Sequence, residues 1–425
     1  MSNLRVLVVG ASIAGPTAAY WLARAGASVT VIERFPNLRT NGQNVDIRTI
    51  GVAVMRRMAG MEAAVRSKIV PIAAMALVRS DGRPYGTIKP TGNPDQQSLV
   101  SEFEIYRGDL ARILYDMTKD HKNIRYVFGE QIAAIRHAEK NGPVTVDFAN
   151  GHPSTEYDLV VGADGATSRT RALAFGGTVR EHMRPINAWA AFFTIARDLV
   201  GNSGVGHGYT AVGGRFIAIG ADPAGGNRVT LMGIYPPSAA SAMDDFREAA
   251  AKGEEATKKF IADRFVGAGW KTDEIMDAML DPTSTEFYAN EIVQVKTPAL
   301  YSGRIALIGD AGYASGPTGM GTSAALAGAY ILAGEMAAHP GDIEAGLRAY
   351  EERMRPVVTK VQKIPSLIPA VLAPYTAWGL WLRNNIFALI CWTRVVGFAE
   401  RNFAWAFASS GDEDSGLPVY DFEKA

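Results

Sequence analysis

The chain has 425 residues, of which 48% are hydrophobic and 20% charged. This length predicts two closely packed domains, and the composition is that of a globular protein, not of a disordered, fibrous or membrane protein. Lys and Arg together number 43, as do Asp and Glu, so no net charge favours nucleic acid, anionic lipid or acidic partners. We therefore expect a globular protein that does not bind nucleic acid.

Cysteine content and the N-terminus give two further expectations. Cys391 is the only cysteine, so it can form neither an intramolecular disulfide nor a metal cluster. Its apolar neighbours favour a buried, inert thiol over a nucleophile. The N-terminus lacks the charged segment and cleavable apolar core of a signal peptide, which leads us to expect a cytoplasmic location. We predict no metal site.

The chain begins with the pattern of a strand, a helix and a second strand. Residues 4–9 form a short β-branched apolar run that ends at Gly10. Residues 16–25 are rich in Ala with apolar residues at helical spacing, and residues 28–32 form a second β-branched run that ends at Glu33. This order predicts a βαβ unit at the start of a Rossmann-like fold.

The rest of the chain alternates between two kinds of pattern. Short strands with Gly and Pro turns dominate residues 75–100 and 180–290, with one helical insert at about residues 239–265. Buried strands and long helices, such as residues 304–308 and 321–338, resemble the first βαβ unit. The predicted α/β fold has a discontinuous Rossmann-like domain (1–74, 100–178 and 286–363), a second, β-rich α+β domain (75–99 and 179–285) and a C-terminal helical segment (364–425).

The C-terminal segment is apolar and contains many Trp and Phe residues. Pro and polar residues interrupt it, and no piece reaches the roughly 18 uninterrupted apolar residues of a membrane span. We therefore expect packed C-terminal helices rather than a membrane-surface anchor.

The turn after the first strand resembles a dinucleotide-binding fingerprint. It reads Gly10-Ala11-Ser12-Ile13-Ala14-Gly15, with Ser12 in place of the usual middle Gly. Gly10 permits the tight turn, Gly15 lets the helix lie close to the sheet, and the backbone N–H groups between them can bind a pyrophosphate. Glu33 follows at the spacing of a carboxylate that binds a ribose hydroxyl. The sequence thus predicts a dinucleotide site here.

Two further aspartates follow buried strands. Asp164 ends the run 159–163, and Asp310 ends the run 304–309. Open α/β sheets bind ligands at the carboxyl ends of their strands. Either aspartate alone could instead be a helix N-cap or a turn residue. Three motifs at three strand ends together favour a shared ligand site.

The order of these motifs resembles the class A flavoprotein monooxygenases, the para-hydroxybenzoate hydroxylase superfamily, and the compact chain is similar to its tetracycline-inactivating branch. The resemblance spans about residues 4–335. It implies noncovalent FAD, with NADPH or NADH as cosubstrate, and transfer of oxygen from O₂ through a flavin C4a-hydroperoxide. The implied substrate is a hydrophobic, phenolic or otherwise aromatic small molecule, such as a secondary metabolite or antibiotic, that is hydroxylated or epoxidised. We expect a monomer or weak homodimer.

The resemblance also implies roles for individual residues. Asp310 would bind ribose or ribityl hydroxyls, the backbone of 317–321 would pass the diphosphate and flavin ring, and Asp164 would serve both FAD and nicotinamide access. Arg39 is a possible contact of the nicotinamide nucleotide phosphate. The implied cofactor-binding residues are Gly10, Ser12, Ile13, Ala14, Gly15, Glu33, Arg34, Asp46, Arg48, Arg107, Asp164, Gly165, Asp310, Pro317, Gly319, Met320 and Gly321.

The chain departs from the pattern of that family at three places. Gly312-Tyr313 stand where many members have Ala-His, and Gly328 stands where a helical Asp is frequent. The run 319–323, Gly-Met-Gly-Thr-Ser, replaces the commoner Gly-Gln-Gly-x-Asn. These departures bear on the orientation of the flavin ring.

No catalytic residue is predicted from the sequence. Four polar residues of the second domain are interpreted as ordinary sheet or surface residues, because strands expose half of their side chains; they are His207, Tyr209, Arg215 and Tyr235. An FAD-dependent reductase or dehydrogenase of the same architecture is the alternative enzyme. A flavin-binding regulator without activity is disfavoured, since the loop for the reactive ring is retained.

Overall fold

A computed structural model describes residues 4–39, 42–70, 73–89, 103–137, 142–201, 204–223, 225–282, 284–364, 371–393 and 416–422. The strands are β1 (Arg5–Val9), β2 (Ser28–Glu33), β3 (Asn44–Asp46), β4 (Ala74–Val78), β5 (Pro84–Ile88), β6 (Glu104–Tyr106), β7 (Ile124–Phe128), β8 (Ile132–His137), β9 (Val144–Phe148), β10 (Thr155–Tyr157), β11 (Leu159–Gly162), β12 (Met183–Ile195), β13 (Val205–Ala211), β14 (Arg215–Ala221), β15 (Asn227–Ile234), β16 (Thr285–Val295), β17 (Tyr301–Ser302) and β18 (Ile305–Leu307). The helices are α1 (Ala14–Arg24), α2 (Ile50–Arg57), α3 (Met61–Arg66), α4 (Arg107–Asp116), α5 (Arg169–Phe175), α6 (Ala242–Ala251), α7 (Glu254–Phe265), α8 (Thr272–Leu280), α9 (Asp310–Tyr313), α10 (Gly321–Ala338), α11 (Ile343–Val361) and α12 (Ala377–Trp392).

A six-stranded sheet carries the strand ends that the sequence singled out. Its order is β17-β18-β11-β1-β2-β7, and all neighbours are parallel except β17 and β18. The central strands of this sheet are continuous apolar runs in the sequence, because both faces of the sheet are covered. Parallel strands direct their carboxyl ends to one edge, so Gly10, Glu33, Asp164 and Asp310 meet there. The predicted Rossmann-like α/β fold is confirmed.

The two faces of this sheet pack on different layers. Val6, Val8 and Val161 face the helices α1, α10 and α11 in the largest apolar core. Leu7 and Val160 face the opposite way, against a three-stranded sheet of order β10-β9-β8. Alternate residues of one strand thus serve two cores.

A seven-stranded sheet forms the second part of the molecule, in the order β16-β12-β15-β14-β13-β4-β5. One face packs on α6, α7 and α8 through Trp189, Phe246 and Phe265, which are almost fully buried. These three helices cover this face. On the other face, helix α12 packs at β5, where a Cβ on Gly86 would contact Cys391, and the central strands are open and line a cleft.

Two features of this second part differ from the expectations. Residues 286–295, which the sequence division gave to the Rossmann-like domain, belong to β16 and pair with β12 in the seven-stranded sheet. Sequence alternation alone could not choose between two sheets. The helical insert expected at about 239–265 is broken at Gly253, whose φ is 106°, and a further helix, α8, follows it.

The described parts of the C-terminal segment pack on both sheets. Helix α12 contacts β5 on one side, where Cys391 lies against Gly86. The thiol is half-buried rather than buried, and desolvation raises its pKa. The opposite side of α12 exposes apolar side chains such as Trp378 and Trp392. The expected packing of the C-terminal helices is therefore found on only one side of α12. The stretch 394–415 lies outside the described residues.

The last described residues, 416–422, dock on the core of the six-stranded sheet. The Pro418 carbonyl accepts hydrogen bonds from Arg57 (2.7 Å) and Tyr330 (2.9 Å). The Tyr420 hydroxyl donates to the buried carboxylate of Glu335 at 2.5 Å. Each described helix is too short or too polar to cross a lipid bilayer.

Candidate active site

One cleft, with a volume of about 1310 Å³, joins the carboxyl edge of the six-stranded sheet to the open face of the seven-stranded sheet. The short β3–β6 ribbon forms a wall between them. The predicted cofactor-binding residues that line the cleft are Gly10, Ser12, Ile13, Ala14, Glu33, Arg34, Asp46, Arg107, Asp164, Gly165, Asp310, Pro317, Gly319 and Gly321, together with Arg39. Those that do not line it are Gly15, Arg48 and Met320.

The turn between β1 and α1 requires its two glycines for different reasons. Gly10 has a φ of 108°, and a Cβ there would lie 2.6 Å from the Ala163 carbonyl oxygen. A Cβ on Gly15 would lie 1.8 Å from the Gly10 carbonyl oxygen. Gly10 therefore shapes the turn, whereas Gly15 lies outside the cleft and lets α1 approach the sheet.

Glu33 is fixed at the end of β2 by two backbone donors. Its Oε2 accepts from the Ala11 N–H at 2.9 Å, and its Oε1 accepts from the Phe35 N–H at 3.1 Å. A carboxylate has about four lone-pair sites, so both oxygens retain capacity for ligand hydroxyls. The carboxylate also faces the cleft, as a ribose ligand requires.

Ser12, the residue that replaces the middle Gly of the fingerprint, has a partner across the cleft. Its hydroxyl oxygen accepts a hydrogen bond from Arg107 Nη2 at 2.8 Å. Arg107 begins α4, and its backbone N–H donates to the Gln43 carbonyl. The Ser12 side chain thus orients a guanidinium toward the place where a phosphate would meet the turn.

Asp164 uses its carboxylate within the chain. Oδ1 accepts from the Ser168 hydroxyl at 2.5 Å, and Oδ2 accepts from both the backbone N–H and the hydroxyl of Thr170 at 3.0 Å. These bonds order the start of α5, where Ser168 is the N-cap residue and Asp164 supports it from the preceding loop. The next residue, Gly165, has a φ of 82° and open space where a Cβ would lie, so bare backbone borders the cleft here.

Asp310 has the opposite character. Its side chain is open to the cleft, and no described residue donates a hydrogen bond to its carboxylate. The surrounding protein raises its pKa by desolvation, while the Arg107 guanidinium lowers it. A carboxylate that lies at a cleft wall and receives no hydrogen bond from the protein is suited to ligand hydroxyls.

Asp46 lies beside the loop predicted to carry the flavin ring. A Cβ on Gly319, whose φ is 71°, would lie 3.6 Å from Asp46 Oδ2. Arg48 donates to the same oxygen from Nε (3.2 Å) and Nη2 (3.0 Å). The Arg48 backbone N–H also donates to Ser323 Oγ at 2.8 Å. Arg48 therefore acts from behind the cleft wall, by orienting Asp46.

The open face of the seven-stranded sheet supplies the other end of the cleft. Strand alternation directs every second side chain to it; these residues include Ala190, Phe192, Thr194, Ala218, Gly220, Thr230, Met232, Tyr288 and Ile292. The face is mainly apolar, with small residues at its centre and aromatic residues at its side. It suits a hydrophobic ring system.

The four polar residues interpreted as ordinary in the sequence lie outside the cleft lining. Tyr209 donates to the Ala268 carbonyl at 2.6 Å. The Tyr235 hydroxyl accepts from Trp189 Nε1 at 3.1 Å. Arg215 donates to the Val212 carbonyl at 2.9 Å, and His207 packs edge-on against Trp270. Each of the four thus has a structural partner.

Sequence reasoning missed a set of polar residues at the middle of the cleft. The Arg228 guanidinium lies 3.8 Å from the centre of the Tyr106 ring. It pairs with the buried Asp222 at 2.9 Å and with Glu286 at 3.5 Å. Glu104 lies on the same strand as Tyr106. No sequence signal identified these residues, because isolated charges on short strands usually face solvent.

Comparisons with known proteins bear directly on this cleft. Residues 3–364 match the FAD binding domain family. The chain belongs to this family. It is 32% identical to the monooxygenase CTB7 of Cercospora beticola, over 99% of this chain and 98% of that protein. It is also 32% identical to a flavin-dependent monooxygenase of Legionella longbeachae, over 99% of each chain. Tetracycline destructase Tet(55) matches with a TM-score of 0.75 and 28% identity, over 99% of this chain and 100% of that one.

The comparisons confirm the resemblance to class A flavoprotein monooxygenases, so this member of the FAD binding domain family is an FAD-dependent monooxygenase. The site also fits FAD on its own geometry. Gly10, Gly165 and Gly319 present bare backbone to the cleft, and Asp310 presents a carboxylate without donors. Across the described residues no group of three or more His, Cys, Asp or Glu side chains could hold a metal ion.

Tyr313 and Gly328, two of the departures from the family pattern, lie in contact with each other. A Cβ on Gly328, in α10, would lie 1.8 Å from the hydroxyl oxygen of Tyr313. Tyr313 is almost fully buried at the end of α9. The phenol ring therefore fills the space that a side chain at position 328 would need.

Arg171 is a residue of this family member for which the sequence gave no role. Its guanidinium is fully buried and donates to the carbonyls of Ala311 (2.9 Å), Ala166 (2.8 Å) and Val179 (2.6 Å). Desolvation lowers its pKa. The side chain ties the loop after Asp164 to the loop that carries Asp310, and so fixes two sides of the cofactor end.

We expect Arg171→Met to lower the free energy of unfolding of the apoprotein by about 3–5 kcal/mol, because three carbonyls lose their charged donor inside the protein. Urea unfolding measures this loss. The matched control is Arg169→Met, since Arg169 is exposed and donates to Gln131; its effect should stay within about 0.5 kcal/mol. Equal stability of the two variants would show that Arg171 does not hold these loops.

Proposed function

We propose that the chain is a single-component monooxygenase that holds FAD noncovalently, takes reducing equivalents from NADPH or NADH, and inserts one oxygen atom of O₂ into a hydrophobic, phenolic or otherwise aromatic small molecule. Bound FAD would supply the redox and oxygen chemistry. The protein's own task is to bind the flavin, place the substrate and exclude water. The observation that carries the proposal is one continuous cleft from the Gly10 turn to the open face of the seven-stranded sheet.

The cofactor end of the cleft supports specific binding roles. The N–H groups of residues 12–14 would bind the diphosphate at the start of α1, since those of Gly10 and Ala11 donate to Ile32 and Glu33. Glu33 would accept a hydrogen bond from an adenosine ribose hydroxyl, and Asp310 would accept from hydroxyls nearer the flavin ring. Arg107, oriented by Ser12 at 2.8 Å, would neutralise part of the diphosphate charge.

A cationic position at the side of the cleft supports use of a nicotinamide nucleotide. The Arg39 guanidinium lies 4.9 Å from the centre of the Phe35 ring and 5.2 Å from that of Tyr288. Desolvation and the nearby Arg107 lower its pKa. Such a cation gains from a phosphate partner, so Arg39 would receive the phosphate of the nicotinamide nucleotide.

The domain assignment is part of the same proposal. The six-stranded sheet with its helices would bind FAD, and the seven-stranded sheet, including residues 286–295 of β16, would bind the substrate. Its mainly apolar face supports a ring-containing substrate. One similar protein is named a tetracycline destructase, which places tetracyclines among the compounds to be tested. Cytoplasmic residence stays a prediction.

Purification of the protein with its flavin tests the proposal. We expect a yellow protein that releases intact FAD on denaturation and oxidises NADPH or NADH faster when a substrate is added. Phenols, polyketides, indole alkaloids and tetracyclines form the screen, and product mass should increase by one oxygen atom that comes from ¹⁸O₂.

Two outcomes would contradict this function. A colourless protein that neither binds FAD nor gains stability from it would remove the cofactor assignment. Rapid NAD(P)H oxidation with reduction of an added acceptor, and with no ¹⁸O in any product, would favour the reductase or dehydrogenase alternative.

A further inference from the structure

Glu104 belongs to the ribbon that divides the cleft. In the β3–β6 pairing, Asp46 lies opposite Glu104 and Asn44 lies opposite Tyr106. Strand alternation directs these four side chains to the cleft, while Ile105 between them is fully buried in the core. Glu104 is therefore held on a rigid element, with its carboxyl at the cleft wall.

Its neighbours place Glu104 between the flavin loop and the substrate sheet. On one side, Asp46 lies within reach of Gly319, where a Cβ would be 3.6 Å from Oδ2. On the other side, the next cleft-facing residue of the strand, Tyr106, stacks on Arg228 of β15 at 3.8 Å. A substrate that lies between the flavin ring and the seven-stranded sheet would pass this carboxyl.

The hydrogen bonds of Glu104 leave one oxygen available. Asn44 Nδ2 donates to Oε1 at 2.8 Å, and no other described residue donates to the carboxyl. The Arg48 guanidinium, whose charge acts on Glu104, donates its hydrogen bonds to Asp46. Asn44 thus fixes the orientation of the carboxyl, and Oε2 can accept a proton from a ligand.

We propose that Glu104 is the catalytic residue that accepts the hydroxyl proton of the substrate; this inference rests on the proposed function. The substrate O–H bond breaks, the proton moves to Glu104 Oε2, and the bonding electron pair remains on the substrate oxygen. The oxyanion then donates electron density into its ring, which makes the ring a better nucleophile toward the transferred oxygen. The two electrons of the O–H bond stay on the substrate oxygen and its proton resides on Glu104, so the proton transfer needs no further reactant.

The surroundings of Glu104 favour the protonated, uncharged form of its carboxyl group. The pKa of Glu104 is raised to about 7: desolvation and then the Asp46 carboxylate raise it, and the Asn44 hydrogen bond and the Arg48 charge offset part of that rise. A base with a pKa near the working pH is efficient in general base catalysis. The charged and titratable groups that face Glu104 are Asp46, Arg48, Tyr106 and, beyond Tyr106, Arg228 and Asp222.

The first test measures the ionisation of Glu104 in the FAD-loaded protein. ¹³C NMR of protein labelled at the glutamate carboxyl carbons gives the titration, and Glu104→Gln identifies the signal by its loss. We expect a midpoint near pH 7, a lower midpoint in Asp46→Asn and a higher one in Asn44→Ala. A midpoint below pH 5 in the unmodified protein would overturn the proposal, because such a carboxylate is a weak base.

The second test follows oxygen transfer in a single turnover, starting from chemically reduced enzyme mixed with O₂ and the best phenol of the screen. The rate of product formation should rise with pH through the Glu104 midpoint. Glu104→Gln should lose this pH dependence, and its oxygen transfer should be slower by a factor of at least about 100. Its FAD affinity and its rate of flavin reduction should stay within about twofold of those of the unmodified enzyme. The O-methyl ether of the same phenol has no hydroxyl proton, so the variant should not slow its oxygenation further.

Glu286→Gln is the matched control, since Glu286 is another cleft carboxylate but pairs with Arg228; it should keep the pH dependence. If the unmodified enzyme forms no oxygenated product, the proposed function fails. If it forms product and Glu104→Gln matches its rate and pH profile, the inference about Glu104 fails. The inference also fails if Glu104→Gln only raises the phenol concentration that gives half of the maximal rate, as loss of a partner for a substrate ammonium group would.

Discussion

Asp310→Asn should weaken FAD binding by about 10- to 100-fold, because hydrogen bonds to a charged acceptor contribute about 1.5–3 kcal/mol. The apoprotein should respond in the opposite direction. The folded pKa of Asp310 is raised, so its ionisation costs stability as the pH rises through that pKa. At pH 7 the variant should therefore be more stable, by no more than about 1 kcal/mol since water in the cleft still solvates the carboxylate; near pH 3 the difference should vanish.

Asp164→Asn is the matched control for this prediction. The Asp164 carboxylate accepts from Ser168 and Thr170 at the start of α5. Its replacement should lower the free energy of unfolding of the apoprotein by about 1–3 kcal/mol. Flavin fluorescence titration and urea unfolding measure the two effects. Loss of apoprotein stability in Asp310→Asn, without loss of FAD affinity, would show that Asp310 is a structural residue.

Gly328→Ala should destabilise the protein by at least about 2 kcal/mol, although Ala is the better helix former by about 1 kcal/mol. The reason is the Tyr313 hydroxyl, which lies 1.8 Å from the position of the new Cβ. Both residues are buried and cannot move apart freely. Urea unfolding of the holoprotein and the apoprotein gives the free energy of each variant.

A double-mutant cycle with Tyr313→Phe identifies the cause. Removing the hydroxyl leaves Cζ as the nearest ring atom, 3.0 Å from the Cβ position, so Gly328→Ala should cost less in the Phe background by about 1 kcal/mol or more. Gly220→Ala is the control, because no atom lies within 4 Å of the Cβ position there. Additive effects of the two substitutions would refute the direct contact between positions 313 and 328.

The cofactor end of the site could be predicted from sequence because its signals are local. The tight turn at Gly10, the strand end at Glu33 and the strand end before Asp310 are each encoded within a few consecutive residues. Parallel pairing of β1, β2, β11 and β18 then brings these strand ends to one edge. The order of the motifs sufficed to indicate FAD, and the family membership confirms it.

Local patterns could not distinguish two aspartates that follow similar strands. Asp164 has Ser168 and Thr170 as donors, whereas no described residue donates to Asp310. Both follow an apolar strand and a glycine in the sequence. Only the surrounding fold determines which carboxylate is left for a ligand.

The sequence by itself determined the α/β fold class, the dinucleotide turn and the presence of a β-rich second part, because periodicity and turn residues act over short stretches of chain. The tertiary structure decided which sheet holds β16, how Tyr313 and Gly328 share one space, and that Glu104 faces the cleft beside Asp46. These features depend on contacts between residues far apart in the chain. Burial, charge and free volume at such contacts are properties of the packed molecule, and no local pattern specifies them.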